Sequence, residues 1–248
     1  MAKISIDIEN VKNALSSIGY VISDCIERDN NGTNWQIKFS NSGACVTIYD
    51  TNEKKNSVVN GKCDESERGA LKEIVDLIKC KELEISPMNQ DIVDLINSGK
   101  ESDYYDFKQQ WKTDNSGDLV HDILCLANNL RNCDSYLIVG VADDCEVVGV
   151  NEWKKSNEIF DYLREVEFAY RRPEVELLRV YYKYFKIDVL SIKGTRDVPY
   201  YLNKQYRQVG TQIYTRVGDT NTPKNKSASY HDVEKLWQMH FGVNEKES

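Results

Sequence analysis

Acidic and basic side chains at the two ends of the segment 101–150 have the types and spacing of a phosphate-processing site. Glu101, Asp106 and Lys108 open the segment in ESDYYDFK, and Asp143 and Asp144 close it. Carboxylates bind divalent cations, and an ammonium group stabilises negative charge that develops on a phosphate. If the two ends meet, they predict a metal-assisted site. If they do not, the Asp–Lys pair is an exposed ion pair worth about 0–1 kcal/mol.

The elements between these ends have to position them. Residues 104–108 are predicted to form a strand, on which Asp106 and Lys108 share one face because side chains alternate along a strand. A helix is predicted from Ser116 or Asp118 onward, with His121 and Asp122 on its surface. The apolar run YLIVGV predicts a central strand, and residues 146–150 are predicted to return as its partner.

Three motifs in order give this half of the chain a family resemblance. They are E-S-x(3)-D-F-K, D-I-L-x-L-A-N-N and Y-L-I-V-G-V-x-D-D-x-E-V-V-G-V, followed by IYTRVGDTNTP and a helix. Residues 89–242 resemble the Schlafen AlbA-like domain. Bacterial relatives are often labelled DNA-binding or ATP-binding, whereas animal Schlafens cleave transfer RNA with three acidic residues and a divalent metal.

The resemblance implies roles for particular residues. Glu101, Asp106 and Asp143 match the three acids by position, with Asp144 as the alternative third acid, and would hold Mg²⁺ or Mn²⁺. Lys108 would lie near the scissile phosphate. The sequence departs from the family in having Asp106 where Glu is usual, and RNCDS where Gly-Gly usually follows ANN.

The function implied by the resemblance is a metal-dependent endoribonuclease acting on transfer RNA or another structured RNA, with DNA as a further substrate class. A role in defence against phage follows from family association alone. The alternative is a non-catalytic nucleic-acid-binding regulator or sensor. Because animal Schlafens join two related lobes and this chain has one copy, we expect a homodimer. Nucleotide binding is disfavoured, since the chain has no GxxxxGK[ST] loop.

A basic segment lies in the C-terminal half. Residues 168–227 contain twelve Lys and Arg against five acids, a net charge of +7 in a chain of net charge −8. Aromatic residues alternate with these cations, a mixture typical of nucleic-acid contacts and equally of aromatic cores covered by long basic side chains. The candidate nucleic-acid-binding residues are Arg171, Arg172, Lys183, Lys186, Lys204, Arg207 and Arg216.

The N-terminal part predicts a separate small domain. Its pattern reads helix, about four strands and helix, which favours one antiparallel sheet with helices on one face. GACVTIYDT and SVVNGK resemble, weakly, a TATA-binding-protein-like module, whose open sheet face would contact nucleic acid. We therefore predict an α+β chain with a nucleic-acid-binding or accessory domain at 1–82 and an α/β nuclease-like domain with a mixed sheet at 89–248. Residues 156–170 are predicted to form one helix of the second domain.

Composition sets the broad class. The chain has 248 residues, 40% of them hydrophobic and 29% charged, as in globular proteins. No apolar run approaches the roughly 18–20 residues that span a bilayer, and the early acidic residues argue against a signal peptide. We therefore expect a cytoplasmic protein with no membrane partner. Its seven cysteines form no CxxC pair, so reduced structural thiols are expected, with Cys125 in the core.

Overall fold

The computed structural model describes residues 6–50, 56–112 and 116–243. The chain divides into two compact units. One extends to Asn97 and includes Val180–Phe185, and the other contains Ser98–Arg179 and continues from Lys186. The domain limits at 82 and 89 stay a prediction. No helix in the described ranges combines the length and apolar character needed to cross a membrane. The seven cysteines are free thiols, and Cys125 is buried as expected.

The first unit contains the antiparallel sheet that the alternating pattern predicts. Four strands follow one another in the order β1-β2-β3-β4, each antiparallel to its neighbour. The elements are α1 (Ile8–Ser17), β1 (Ile22–Glu27), β2 (Asn34–Phe39), β3 (Ala44–Tyr49), β4 (Val58–Gly61), α2 (Glu65–Lys79) and α3 (Met88–Asn97). The likeness to a TATA-binding-protein module stays a prediction.

Alternation along β3 explains how this sheet forms a core. Ala44, Val46 and Ile48 are buried, and the residues between them are partly exposed. Leu15 of α1 and Leu71 of α2 belong to the same core cluster, so the apolar stripe of each helix packs on that face. The opposite face of the sheet carries the polar residues.

The second unit contains most of the predicted mixed sheet, of which only the residues within Val180–Phe185 belong to the first unit. Its strands lie in the order β5-β6-β8-β7, with β5 parallel to β6 and β6 antiparallel to β8. The elements are β5 (Tyr105–Lys108), α4 (Ser116–Ala127), β6 (Ser135–Val139), α5 (Ser156–Arg164), β7 (Val175–Tyr182), β8 (Phe185–Ile192), β9 (Arg216–Val217), β10 (Thr220–Asn221) and α6 (Tyr230–Phe241).

Strand register places charged groups on the sheet face that α4 covers. Lys108 of β5 is level with Val139 of β6, which is level with Asp188 of β8, so the three side chains share a face. Buried residues of α4, including Ile123 and Leu124, pack in one cluster with that face. The β5-α4-β6 unit thus brings the start of the central segment beneath a helix.

Three predictions for this unit are wrong. The helix predicted at 156–170 ends at Arg164, because Phe168 instead pairs with Leu202. The return strand at 146–150 is reduced to a single bridge from Val147 to Val141. Cys145 and Gly149 have positive φ angles of 68° and 70°, which interrupt an extended chain there. His121, expected on the surface, is buried.

Candidate functional site

The structure brings Glu101, Asp106 and Lys108 together at the edge strand β5. Lys108 Nζ donates to Asp106 Oδ2 in a close ion pair, which confirms that the two side chains share a face. Glu101 Oε1 accepts a 2.9 Å hydrogen bond from the Phe107 backbone N–H. The Asp106 side chain is only 2% exposed, whereas those of Glu101 and Lys108 are 23% and 28% exposed. Glu101 and Lys108 therefore reach solvent, whereas Asp106 is buried and holds Lys108 through their ion pair.

Arg216 lies within this acidic cluster and not on the exposed basic surface expected from sequence. Its guanidinium is 2% exposed. Nη2 donates to Glu101 Oε2 at 2.6 Å and lies 3.1 Å from Asp106 Oδ1. Nε donates to the Ser102 carbonyl at 2.7 Å, and Nη1 donates to Asn221 Oδ1 at 2.8 Å. A side chain so fully bonded holds the two carboxylates in place and has no donor aimed at solvent.

Asp122 of α4 is a fourth acid that sequence analysis placed on the helix surface. Its Oδ1 accepts a 2.9 Å hydrogen bond from Asn221 Nδ2. Asp122 and Lys108 line one small cavity, together with Trp111 and Asp118. The motif D-I-L-x-L-A-N-N begins with Asp122, so the sequence did contain a signal for this residue.

The charges of this cluster shift one another's pKa values. Burial raises the pKa of Asp122 to about 6, with the neighbouring Asp106 carboxylate adding to the effect. Burial, followed by the charge of Asp106, raises the pKa of Glu101 above its usual range. Burial acts to lower the pKa of Lys108, but the carboxylates of Asp122 and Asp106 outweigh it and raise that pKa. Lys108 is therefore a permanent cation beside the buried Asp106 and the half-buried Asp122.

The short hairpin β9–β10 supplies much of the geometry. It carries Arg216 and Asn221, and the Thr222 carbonyl after it accepts a 2.8 Å hydrogen bond from His121 Nε2. This contact fixes the proton of the neutral imidazole on Nε2, since burial lowers the pKa of His121. Lys224 then pairs with Asp118 of α4. The hairpin thus bonds to both α4 and the start of β5.

Asp143 lies in an exposed turn after β6. The turn is anchored to the end of β5, because the Gly140 and Val141 N–H groups donate to the Lys108 carbonyl at 2.8 Å and 3.2 Å. Asp144 Oδ1 accepts a 3.0 Å bond from the Glu146 N–H. Within the described ranges, no hydrogen bond or ion pair joins Asp143 to Glu101 or Asp106.

The acidic side chains of this cluster meet only some of the requirements of a divalent-cation site. Glu101 and Asp106 are adjacent carboxylates, the oxygen donors that Mg²⁺ and Mn²⁺ prefer. Three of their four oxygens already accept hydrogen bonds from Phe107, Lys108 or Arg216, and the fourth, Asp106 Oδ1, lies 3.1 Å from Arg216 Nη2 in an ion pair. Among the described residues, no group of three or more His, Cys, Asp or Glu is arranged to hold a metal ion. The first two predicted ligands are brought together, and the third is not.

Comparison with known families supplies the decisive observation. The family model described as Schlafen, AlbA_2 matches residues 101–225, from the first acid of the cluster to just beyond the hairpin β9–β10. The chain belongs to the Schlafen, AlbA_2 family. Family membership indicates a nucleic-acid-related function. Searches of curated proteins and of solved structures found no match.

Other residues of the Schlafen motifs have structural roles. The buried side chain of Asn128 donates to the carbonyls of Tyr200 and Tyr214, both at 2.8 Å, and accepts from the Tyr200 N–H. Asn132, in the stretch that replaces the usual Gly-Gly, has a φ angle of 52°. Asn tolerates this left-handed conformation better than most residues, so the departure keeps a glycine-like turn.

The predicted basic residues are placed in different environments. Arg171, Arg172, Lys204 and Arg207 are exposed, and Lys183 and Lys186 are half-buried. Arg171 pairs with Asp197 at 3.0 Å, and Lys186 lies 5.9 Å from the ring centre of Trp153. The four exposed cations are the members of this set that are accessible to a phosphate backbone.

Proposed function

We propose that this Schlafen-family chain is an endoribonuclease that cleaves phosphodiester bonds in structured RNA, with transfer RNA as the expected substrate class. The observation that supports this best is that a carboxylate and an ammonium group, both accessible to solvent, are held by the same buried ion pair. Glu101 and Lys108 reach solvent, and both are fixed by the Asp106–Arg216 ion pair beneath them.

Lys108 and Glu101 have distinct roles in the proposed reaction. Lys108, held as a cation by Asp106 and Asp122, would stabilise the negative charge that develops on the attacked phosphate. Glu101, with its raised pKa, would accept a proton from the attacking oxygen closer to neutral pH than an ordinary carboxylate does. Arg216 would be a positioning residue, and Asp106 would act through Lys108 and a bound cation, because neither side chain is accessible to a substrate.

Binding of Mg²⁺ or Mn²⁺ is part of the proposal. Glu101 and Asp106 would contribute ligands, with Asp143 completing the set from its exposed turn. A bound divalent cation would supply activation of water and neutralisation of phosphate charge. Because the cation would bind the folded protein and not the unfolded chain, it should raise the melting temperature, and above the Kd the stabilisation should grow with the logarithm of the cation concentration. A melting temperature unaffected by Mn²⁺ would remove the cation from the proposal.

Cleavage is tested by incubating the protein with transfer RNA, with and without Mn²⁺. We expect fragments from the native protein, and a loss of about 10²-fold or more in rate for Glu101→Gln. Asp106→Asn and Asp143→Asn should slow the reaction if these acids take part. Undiminished cleavage in all three variants, each shown to be folded by circular dichroism, would overturn the assignment of the site.

A non-catalytic nucleic-acid-binding role is the second candidate. The observation that favours it is that every carboxylate oxygen of Glu101 and Asp106 already has a partner within the chain, three through hydrogen bonds and Asp106 Oδ1 through its ion pair with Arg216. Under this alternative the acids only stabilise the fold, and exposed cations such as Arg172 and Lys204 bind phosphate. Binding that weakens steeply with salt, with no cleavage in any divalent metal, would select it.

We also propose that two chains associate, since one copy of the domain would form only half of a two-lobed groove. Light scattering of the purified protein should then give twice the mass of the chain. An active monomer would contradict this part of the proposal.

A further inference from the structure

The last helix of the second unit has an unusual outer surface. Tyr230 and Phe241 of α6 are 83% and 70% exposed, and Val243 beyond the helix is exposed as well. Trp237 stacks on Phe241, with ring centres 5.9 Å apart and planes 20° from parallel. Trp237 itself is half-buried. Large aromatic side chains usually bury most of their area, so the exposed rings of Tyr230 and Phe241 are typical of a surface that binds a ligand.

A groove beside these rings carries positive charge. Its volume is about 400 Å³, and Arg196 and Lys235 line it together with Asn132 and Gln238. Leu130 and Met239 add apolar lining, and no acidic residue contributes. Gln238 and Val243 also border the aromatic surface, so groove and rings adjoin.

No ion pair within the described residues accounts for the two cations of the groove. Neither Arg196 nor Lys235 forms an ion pair with any described residue. Cations are favoured near a helix C-terminus, where carbonyl groups lack partners. Here the Gly242 and Val243 N–H groups already donate to the Met239 and Gln238 carbonyls at 3.3 Å and 2.9 Å. The groove therefore presents free donors in a chain of net charge −8.

We propose that this surface, formed by Arg196, Lys235, Trp237 and Phe241, binds single-stranded nucleic acid. Backbone phosphates occupy the groove between Arg196 and Lys235, and a base stacks on the exposed Phe241 ring. Single-strand binders combine these two features, a cationic groove and aromatic rings that accept any base. Charge complementarity favours this occupant, because a nucleic-acid strand carries a phosphate on each nucleotide to pair with Arg196 and Lys235. Association with a second copy of the chain is the competing outcome of the test. The inference rests on the nucleic-acid-related function of the family and not on cleavage.

Fluorescence anisotropy with a labelled 12-nucleotide single-stranded RNA in EDTA tests the proposal, because it measures binding without cleavage. Arg196→Ala/Lys235→Ala should weaken binding about 10-fold or more and reduce the slope of log K against log salt by about 1.4, the value for two lost contacts. Trp237→Ala/Phe241→Ala should weaken binding about 5- to 100-fold, with an unchanged salt slope.

Lys155→Ala/Lys226→Ala is the matched control, since it removes two exposed lysines elsewhere in the same unit. It should change affinity far less than the groove variant. Equal losses in the groove and control variants would overturn the proposal. Native affinity in both the Arg196→Ala/Lys235→Ala and the Trp237→Ala/Phe241→Ala proteins would overturn it as well. So would a Trp237→Ala/Phe241→Ala protein that changes its oligomeric state in light scattering but keeps its RNA affinity, because that result assigns the surface to a second chain.

Discussion

The acidic cluster differs from an ordinary surface patch in how each charge is compensated. Asp106 is buried between two cations, Lys108 and Arg216, whereas Asp122 has an amide partner and lies near Lys108. Burial of an incompletely paired carboxylate costs free energy that the fold has to supply. Such residues are retained at functional sites more often than in structural cores.

Replacing Asp122 should stabilise the protein at neutral pH. Its pKa is about 6 in the folded state, above the unfolded value near 3.8, so the ionised form costs stability above pH 6. That cost disappears as the pH falls through 6 towards 4. Asp122→Asn keeps an oxygen acceptor for Asn221 and should raise the free energy of unfolding by about 1–3 kcal/mol at pH 7.5. Urea denaturation at pH 4.5 and 7.5 should show a gain about three times larger at the higher pH.

Asp118, on the same helix, is the control, because its pKa is shifted in the opposite direction to that of Asp122. Burial acts to raise its pKa, but Lys224 outweighs that effect and lowers it. Its ionised form therefore contributes stability above the unfolded pKa, which is lost as the pH falls. Asp118→Asn should lose about 0.5–1 kcal/mol at pH 7.5. If both variants lose stability at pH 7.5, the assignment of Asp122 as an uncompensated acid is incorrect.

Arg216 should be far more important for stability than a surface arginine. Arg216→Ala leaves Glu101 and buried Asp106 without their shared donor, at an expected cost of about 3–5 kcal/mol in free energy of unfolding. Arg131 pairs with Asp103 at 2.7 Å, but its side chain is 58% exposed. Arg131→Ala should therefore cost about 0–1 kcal/mol. Urea denaturation compares the two variants. Similar losses in the free energy of unfolding would show that water, and not Arg216, compensates the charges of the acidic cluster.

The turn after β6 and the hairpin β9–β10 each depend on a glycine with positive φ, but their surroundings differ. At Gly140, φ is 114°, and an added Cβ would lie 2.9 Å from Ile187 Cδ1 and 3.1 Å from Gly149 Cα. At Gly218, φ is 62°, and an added Cβ would meet nothing within 4 Å. Gly140→Ala should therefore lower the free energy of unfolding by about 2–4 kcal/mol, and Gly218→Ala by about 1 kcal/mol. Hydrogen exchange of the β6 amides should accelerate about 30-fold or more in the first variant and only about 5-fold in the second.

The spacing of apolar residues correctly located those strands and helices that follow local secondary-structure preferences. The alternating residues of β2 and β3 and the apolar stripe of α2 located these elements to within a few residues. The helix predicted at 156–170 was too long because pairing of Phe168 with Leu202, 34 positions away in sequence, decides where the chain leaves the helix. Such tertiary contacts override local preference.

The same distinction explains which site residues could be found. Glu101, Asp106 and Lys108 are close in sequence, and strand alternation predicted the contact of the last two. Arg216 reaches Glu101 across more than a hundred residues, which no local pattern encodes. Asp122 was missed because α4 is buried on most sides, so its apolar periodicity did not identify which polar residues face inward.

Taken as one molecule, the chain combines an acidic net charge with cationic surfaces. Net charge is −8, yet residues 168–227 carry +7, and the groove beside α6 contains two cations and no acid. Bulk charge would repel a nucleic acid, so binding has to depend on these local surfaces. The Schlafen, AlbA_2 match covers both the acidic cluster and most of the basic segment.

The rate of transfer RNA cleavage by a Lys108 variant tests the proposed nuclease function most directly. Lys108→Met removes the accessible cation and keeps most of its apolar volume, and Lys155→Met makes the same change at an exposed lysine outside the cluster. We predict that Lys108→Met cleaves about 10²- to 10³-fold more slowly than the native protein in Mn²⁺, and that Lys155→Met is unchanged. A folded Lys108→Met protein that cleaves at the native rate would contradict the account.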